Sequence, residues 1–419
     1  MSFKPTEHRA IFINNQSQCD QLIEDILNGL HIPAEFKYLK DLKGALFSKG
    51  ALDDFIEEEE IHDQKWLTSN TEQSLKSMSS GERKKALLAY LLQSDPDYLI
   101  LLNPFDNLDS ESQIGLKERL IKLSKKKQIL LFLSRKADLL PFISNFYFLK
   151  DKQLIPLHLV PEIENPSSYE LTKPIPKPLE RIPYEHSQIV QLKNVCVSYG
   201  SSQILDKVNW VIRPGEFWKL SGPNGSGKST LLSMINGDNP KAYGQDINIF
   251  GYQKGKGESV WDLKKSMGYF TPAMIDRFKG YHSLENMIIS GLFDSIGLYV
   301  KPGNVHQRLA KEWLELIGMD HKKDKYFHTL NLGEKHLIMC IRAMIKHPPL
   351  LILDEPTAGL DDKSAALVVA LANKMAQESE TAIIFVSHRE EPLLKTQYEF
   401  QLSPAESGSL GVSIPHGTF

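Results

Sequence analysis

Gly222-Pro-Asn-Gly-Ser-Gly-Lys-Ser-Thr230 is the stretch of this chain that decides its fold. It matches the pattern G-x-x-x-x-G-K-[ST], and it lies between the apolar run Phe217–Leu220 and the helix-like run Thr230–Ile235. A strand, a glycine-rich loop and a helix in this order make a phosphate cradle. The glycines let successive backbone N–H groups face one anion, and the start of the helix adds its positive end. The sequence therefore predicts a nucleoside triphosphate site.

Several side chains have predicted roles in the chemistry of such a site. Lys228 reaches the β- and γ-phosphates, and the hydroxyl of Ser229 is a natural Mg²⁺ ligand. Asp354 ends the apolar run Leu350–Leu353, where a carboxylate can hold Mg²⁺ directly or through water. Glu355 beside it can orient the attacking water or accept its proton.

For two further residues, a purely structural role is the alternative to a functional one. His388 follows the apolar run Ile383–Val386 and could reach the γ-phosphate. A histidine taken alone is more often a surface or core residue, but its place behind this run favours the functional interpretation. Tyr199, ahead of the loop, is placed to stack on a base ring, with an ordinary core aromatic as the alternative.

Length, charge and cysteine usage restrict the class of protein. A chain of 419 residues predicts two or three domains, and its net charge of −3 gives no sign of nucleic-acid or anionic-membrane binding. Cys19, Cys196 and Cys340 are far apart, which favours a reducing cytoplasm over a disulfide or a zinc site. The apolar runs are too short to span a bilayer, so we expect any membrane role to come through a partner.

The chain also contains a repeat. Met78-Ser-Ser-Gly-Glu82 precedes Leu330-Asn-Leu-Gly-Glu334 by 252 residues, and the same spacing separates Pro104 from Pro356. A fixed register indicates an internal duplication. At the phosphate loop the spacing is 208 residues, so the first copy lacks about 44 residues between this loop and the S-G-E motif.

The first copy has lost the residues that would hold phosphate. At the 208-residue spacing Asp20 falls on Lys228, and a carboxylate there would repel a triphosphate. At the 252-residue spacing, Leu102 and Asn103 stand where the second copy has its two carboxylates.

Together these motifs resemble the ATP-binding cassette (ABC) ATPases over nearly the whole chain. The resemblance implies an α/β fold of two P-loop NTPase cassettes in tandem, the first truncated and degenerate, with ATP and Mg²⁺ as ligands. It implies Glu355, His388 and Lys228 as catalytic residues and Ser229 and Asp354 as metal ligands. The nucleotide-binding residues that it implies are Tyr199, Gly222, Pro223, Asn224, Gly225, Ser226, Gly227, Lys228, Ser229, Thr230 and Asp354, with Ser79, Ser80 and Gly81 from the first copy.

The resemblance also implies where a complete site can form. In that family two cassettes pack head to tail, and each ATP lies between the Walker A loop of one and the L-S-G-G-Q signature of the other. The first copy keeps a good signature around Ser79, whereas the second has Asn331 where serine is expected. We therefore expect one composite ATP site, made by the second copy's phosphate loop and the first copy's signature.

A narrower resemblance is to tandem-cassette ATPases of the ModF/PhrA type. It rests on four segments of the second copy, namely Gly237–Tyr243, Ile249–Gly251, Gly257–Asp262 and Ser290–Tyr299. The Q-loop region Gly268–Ala273 contains no glutamine, which leaves open both a Mg²⁺ contact and the usual coupling to a membrane domain.

These patterns predict a degenerate cassette at 1–159, a proline-rich extended linker at 160–187, a complete cassette at 188–403 and a loose tail at 404–419. We expect an ATPase that energises a transport or related process. The alternative is an ATP-dependent binding switch with slow hydrolysis, associated with translation or repair. The expected partner is a membrane transporter subunit or another protein, with no nucleic acid. We expect the cassettes to pair within one chain, with a homodimer left open, in the cytoplasm or at the inner face of the membrane through a partner.

Overall fold

The structure is a computed structural model that describes residues 7–69, 73–160, 171–184, 186–257, 259–278 and 280–417. The chain divides into two compact units, residues 1–164 with 359–362, and residues 165–358 with 363–419. Pro161 and Pro166 of the proposed linker, with the rest of residues 161–170, lie outside the described residues. Residues 171–184 contain no helix or strand, as the prolines predict. Ile175 N donates a 2.7 Å hydrogen bond to Glu378 within the second unit.

The first unit is an α/β layer structure around one six-stranded sheet. Its strands are β1 (Arg9–Phe12), β2 (Gly44–Phe47), β3 (Tyr98–Leu102), β4 (Gln128–Leu133), β5 (Asn145–Lys150) and β6 (Gln153–Leu157). Its helices are α1 (Asp20–Asn28), α2 (Lys49–His62), α3 (Ser80–Gln93) and α4 (Ser110–Ser124). The sheet order is β2-β3-β4-β1-β5-β6, parallel except for β6. Every residue of β4 is buried, as expected of a central parallel strand covered on both faces.

The second unit is larger and has two sheets. Its strands are β7 (Val190–Tyr199), β8 (Ser202–Ile212), β9 (Phe217–Ser221), β10 (Asp246–Ile249), β11 (Tyr252–Gln253), β12 (Met267–Phe270), β13 (Leu350–Asp354), β14 (Ala382–Val386), β15 (Tyr398–Ser403) and β16 (Leu410–Pro415). Its helices are α5 (Lys228–Ile235), α6 (Val260–Lys265), α7 (Leu284–Ile289), α8 (Asn304–Leu316), α9 (Leu332–Met344) and α10 (Asp362–Glu378).

The two six-stranded sheets have the same strand order. The second is β12-β13-β14-β9-β15-β16, again parallel except for its last strand. Position by position this matches the first sheet, with β1 in the place of β9 and β3 in the place of β13. A shared sheet order is what the sequence repeat predicts. The second unit also has an antiparallel sheet of order β11-β10-β7-β8.

The spacing change between the copies also has a structural counterpart. Between β9 and α9 the second unit contains α5, β10, β11, α6, β12, α7 and α8. Between β1 and α3, the described part of the first unit contains only α1, β2 and α2 as helices and strands. The 44-residue difference therefore corresponds to whole elements of the second copy.

The expectation of a loose tail after Ser403 is wrong for most of that segment. Strand β16 pairs antiparallel with β15 along its whole length, from Ser403 opposite Leu410 to Tyr398 opposite Pro415. The glycine- and serine-rich residues in between form the hairpin turn, where Gly408 has a φ of +106°. Composition alone suggested a loose end, but the turn residues connect two strands that complete the sheet.

Among the helices that the structure describes, none is both long enough and apolar enough to traverse a bilayer.

Candidate functional site

The phosphate loop connects β9 to α5 and takes a conformation that requires glycine. Gly222, Gly225 and Gly227 have φ values of +140°, +79° and +91°. A Cβ on Gly222 would lie 2.5 Å from the carbonyl oxygen of Leu402, and one on Gly227 would lie 2.7 Å from Leu205. The loop therefore curls against neighbouring strands where no side chain fits, which leaves its backbone N–H groups for an anion.

Two side chains of the loop fit a bound phosphate. Ser226 is completely buried, and its Oγ has no hydrogen-bond partner among the described residues. Buried hydroxyls are normally paired, so an unpaired one inside this cradle fits a ligand oxygen. The Nζ of Lys228 donates to the carbonyl oxygens of Gly222, at 2.7 Å, and Pro223, at 2.9 Å. This ammonium thus lies over the mouth of the loop, where a triphosphate would replace the carbonyls.

Parallel register brings the predicted acidic residues to the same sheet edge as the loop. Asp354 is opposite Val386 on β14, and Val386 is opposite Leu220 on β9. Glu355, His388 and the phosphate loop follow directly after these three strand ends. Burial raises the pKa of both carboxyls, and the charge of Lys228 opposes this rise at each of them, which also indicates its proximity to both.

Burial has the largest effect on the pKa of each of the two carboxyls. Desolvation raises the pKa of Asp354, opposed by hydrogen bonds from Tyr269 and Thr271 and by Lys228. Desolvation and the neighbouring Asp354 raise the pKa of Glu355 to about 8. A buried carboxyl of raised pKa beside a second carboxyl is the arrangement that acid–base chemistry uses.

His388 contacts both oxygens of Glu355. Its Nε2 lies 3.4 Å from Oε1, and its backbone N donates to Oε2 at 3.5 Å. Glu355 has a φ of +53°, a rare value for a residue with a side chain, and its N donates to Val386 O at 3.1 Å. Such strain is concentrated at functional positions and here aims the carboxyl at His388.

The first unit repeats this backbone arrangement with a different side chain. Asn103, which corresponds to Glu355, has a φ of +44°, and its N donates to Phe132 O at 2.9 Å. Its Oδ1 accepts hydrogen bonds from N and Oγ of Ser134. An amide at this position cannot accept a proton as a carboxylate can, so the geometry is present without the base.

The first-unit signature forms a regular helix start. Ser79 caps α3, where its Oγ accepts from Glu82 N at 3.3 Å and its N donates to Glu82 at 2.8 Å. A serine hydroxyl that accepts one hydrogen bond can still donate its own proton. Ser80 Oγ donates to Asn107 O at 2.7 Å, and a Cβ on Gly81 would lie 2.6 Å from Ser112. Asn331 caps α9 in the same way through an amide oxygen.

The structure adds two residues that sequence reasoning missed. The Oη of Tyr269 donates to Oδ2 of Asp354 at 3.5 Å, and Thr271 also hydrogen-bonds this carboxyl. Both lie in the Q-loop region that contains no glutamine. One signal in the sequence could have found Tyr269. It lies on β12, which pairs with β13, and β13 ends at Asp354, so a polar side chain on β12 is a candidate neighbour of this carboxyl.

Three further predicted residues are Tyr199, in the antiparallel sheet, and Ser229 and Thr230, at the start of α5. Tyr199 ends β7 in the antiparallel sheet and is 46% exposed, so it is not a core aromatic. Ser229 is exposed and Thr230 half-buried at the start of α5, where a hydroxyl can serve as a Mg²⁺ ligand. The oxygen donors of Ser229 and Asp354 suit Mg²⁺, which prefers hydroxyl, carboxylate and phosphate oxygens.

The chain is similar in sequence to known proteins. A family model described as ABC transporter matches residues 205–358. The ABC transporter ATP-binding protein ModF of Escherichia coli (strain K12) is 37% identical over 341 residues, which cover 78% of this chain and 69% of that protein. An uncharacterized ABC transporter ATP-binding protein of Schizosaccharomyces pombe is 30% identical over 76% of this chain and 66% of its own length. The chain thus aligns with about two thirds of each relative's length.

Solved structures give the same fold. The archaeal ribosome recycling factor aABCE1, solved in complex with the ribosomal stalk protein aP1, has a TM-score of 0.61 at 15% identity, covering 98% of this chain and 86% of that chain. A structure titled RNase-L Inhibitor has a TM-score of 0.61 at 15% identity, covering 99% and 87%. At this identity the likeness shows the fold alone, an α/β fold with two cassettes in one chain.

Proposed function

Because this chain belongs to the ATP-binding cassette (ABC) ATPases, we propose that it binds ATP with Mg²⁺ and hydrolyses it to ADP and phosphate. One observation carries the proposal, namely that Lys228, Glu355 and His388 meet at one edge of the second unit's parallel sheet. A phosphate cradle, a base and a residue that orients the base are the parts needed for in-line attack of water.

Each residue has a role that follows from its position. Lys228 neutralises charge on the β- and γ-phosphates, and the loop N–H groups hold the phosphate oxygens in place. Glu355 orients the attacking water and accepts its proton, while His388 holds the carboxyl in place. When bound by Ser229 and Asp354, Mg²⁺ supplies positive charge that balances the charge developing on the phosphates.

The first unit contributes its signature in this proposal. In the family, the Walker A loop of one cassette and the signature of the other enclose one ATP. The exposed hydroxyl of Ser79 and the start of α3 offer hydrogen-bond donors to a γ-phosphate. Asn103 and Asp20 lack the chemistry for a second site, so we propose that the first cassette is degenerate and that one composite site serves the chain.

We further propose that ATP hydrolysis energises a transport or related process, through a membrane transporter subunit or another protein partner. The support is the relationship to ModF, described as an ABC transporter ATP-binding protein. This role places the protein in the cytoplasm, or at the inner face of the membrane through that partner.

A second candidate is an ATP-dependent binding switch with slow hydrolysis. The observation in its favour is the pKa of Glu355, raised to about 8 by burial and by Asp354. A base that is largely protonated at pH 7 slows proton abstraction. Recovery of ribosomes with the Glu355→Gln protein held in ATP, without any membrane protein, would favour this candidate over transport.

The test is the ATPase rate of the purified protein over a dilution series, with Lys228→Ala and Ser79→Arg. We expect both variants to lose turnover and the specific rate of the native protein to be independent of concentration. Asn331→Arg, at the second signature, is the matched control and should keep its activity. If Ser79→Arg is active and the native rate falls on dilution, the composite site within one chain is wrong, and second halves pair between chains.

A further inference from the structure

Tyr199, the residue predicted to stack on a base, is tethered to the phosphate-loop helix by the buried amide of Asn239. Nδ2 of Asn239 donates to the Oη of Tyr199 at 2.9 Å and to Oγ of Ser233 at 3.0 Å. Ser233 lies on α5, which begins at Lys228 of the phosphate loop. Its Oγ donates in turn to the carbonyl oxygen of Thr230 at 2.8 Å. A continuous chain of hydrogen bonds therefore runs from the aromatic ring to the loop.

The orientation of this amide is determined by its neighbours. Oδ1 of Asn239 accepts from Lys241 N at 3.0 Å, so the NH₂ group must face Tyr199 and Ser233. The backbone N of Asn239 donates to Ser233 O at 3.0 Å. Asn239 is 7% exposed and caps the short turn Pro240–Ala242, which begins with proline. Both amide protons and the amide oxygen are thus paired, and the side chain has one rotamer that satisfies all of them.

The ring that it holds is nearly half exposed. Tyr199 is 46% exposed at the last position of β7, and the Nζ of Lys241 lies 5.8 Å from the centroid of its ring. An exposed tyrosine at a strand end samples several rotamers, and a ligand that stacks on it must select one. The bond from Asn239 removes that cost before the ligand arrives.

We propose that Asn239 is a positioning residue that holds the ring of Tyr199 at a set distance from the phosphate loop, so that base and triphosphate are bound as one rigid unit. This inference rests on the proposed ATP site. It gives Asn239 a role in recognition of the base but none in recognition of the phosphates, and this separation makes it testable.

The experiment titrates the full-length protein with Mg·ATP and, separately, with Mg·tripolyphosphate, which has no base, in a calorimeter. We expect Asn239→Ala to weaken ATP binding by about three- to tenfold, the range of a lost hydrogen bond between neutral groups, and to leave tripolyphosphate binding unchanged. Tyr199→Phe should weaken ATP in the same direction, and the double variant should be no weaker than Asn239→Ala. Asn209→Ala, an exposed amide on β8, is the control and should change neither ligand.

A conservative variant tests whether the role of Asn239 is purely structural. Asn239→Asp keeps an acceptor for Lys241 N and for the Tyr199 hydroxyl proton, so it should restore ATP affinity to within about twofold of the native value. This rescue should disappear in a protein that also carries Tyr199→Phe. If Asn239 acted only as a cap for the turn, Asn239→Asp would restore ATP affinity whether or not Tyr199 is replaced.

The inference is overturned if Asn239→Ala leaves ATP binding unchanged, if it weakens both ligands by the same factor, or if its effect adds to that of Tyr199→Phe. These results would leave the proposed ATP site intact, because the native protein would still bind both ligands. Native protein that binds neither ligand would instead overturn the proposed function and this inference with it.

Discussion

Nε2 of His388 lies 3.4 Å from Oε1 of Glu355, while the backbone N of the same histidine faces the other carboxyl oxygen at 3.5 Å. One residue thus contacts both oxygens of the proposed base. The contact depends on β13 and β14 being adjacent and parallel, with Asp354 opposite Val386. The carboxyl is therefore held in place by the sheet rather than by its own rotamer preference.

Glu355→Gln should lower the ATPase turnover at least about 100-fold while ATP still binds. The amide has nearly the shape of the carboxyl but cannot accept a proton from water. Steady-state phosphate release and calorimetric ATP binding are the two measurements. Glu390→Gln, an exposed carboxylate two residues beyond His388, is the control and should be unaffected. A Glu355→Gln protein with native turnover would remove Glu355 from the mechanism.

Tyr269→Phe should raise the Mg²⁺ concentration needed for half-maximal ATPase activity by about three- to tenfold. The phenol hydrogen bond at 3.5 Å orients Asp354, and phenylalanine leaves the packing of β12 in place. The measurement is a Mg²⁺ titration at saturating ATP. Tyr281→Phe, on a tyrosine that is 79% exposed, serves as the control. An unchanged Mg²⁺ requirement in Tyr269→Phe would show that the phenol does not support the metal ligand.

Gly222→Ala should abolish detectable ATP binding, whereas Gly225→Ala should only weaken it. A Cβ at position 222 would meet the backbone oxygen of Leu402 at 2.5 Å, but one at position 225 would meet nothing within 4 Å. The second variant therefore has only the strain of its φ of +79°, about 1–2 kcal/mol. Equilibrium binding of ATP to both variants, with circular dichroism to confirm folding, distinguishes the two. Equal losses would mean that backbone conformation, and not close approach, governs the loop.

His336 should make the protein less stable in mild acid. It is completely buried with Nδ1 2.7 Å from Pro356 O, and burial lowers its pKa to about 4, against an ordinary 6.5. The folded state thus keeps the ring neutral where the unfolded state takes up a proton. The contribution of this neutral ring to the free energy of unfolding is present above pH 6.5 and is lost as the pH falls towards 4.

The size of this effect follows from the same pKa values. Between pH 7 and pH 5 the native protein should lose about 2 kcal/mol more of its free energy of unfolding than His336→Gln, which cannot be protonated in this range. Urea unfolding at both pH values measures the difference. His321→Gln, at an exposed position, should follow the native protein. Parallel pH curves for the native protein and His336→Gln would contradict a buried neutral ring.

Local patterns predicted the phosphate loop and the apolar strands beside it. Gly222, Gly225 and Gly227 were assigned to a curled loop because glycine is the residue that takes positive φ without cost, and all three have it. Helix α1 ends at Asn28 and is followed by Gly29 with a φ of +70°, the left-handed conformation that glycine favours after a helix. The strand ends that place Asp354 and His388 were also visible, since a buried parallel strand is a short apolar run.

The same reasoning failed where function depends on partners far apart in the chain. Tyr269 contacts Asp354 across 85 residues of sequence, and Asn239 contacts Tyr199 across 40. Both residues lie in segments already singled out, Tyr269 in the Q-loop region 268–273 and Asn239 in 237–243, but nothing in either segment indicates which distant side chain it contacts. The glycine- and serine-rich segment before β16 suggested a loose end for the same reason, because its pairing partner β15 is not encoded in its own composition.

The sequence by itself revealed the duplication and predicted a nucleotide site with Lys228, Asp354 and Glu355, because residue type and short-range spacing are local properties. Only the tertiary structure decided which side chains support them. The sheet order β12-β13-β14-β9 brings the phenol of Tyr269 to Asp354 and the imidazole of His388 to Glu355. A hydrogen bond requires an approach to about 3 Å, and only strand order and register bring distant residues that close.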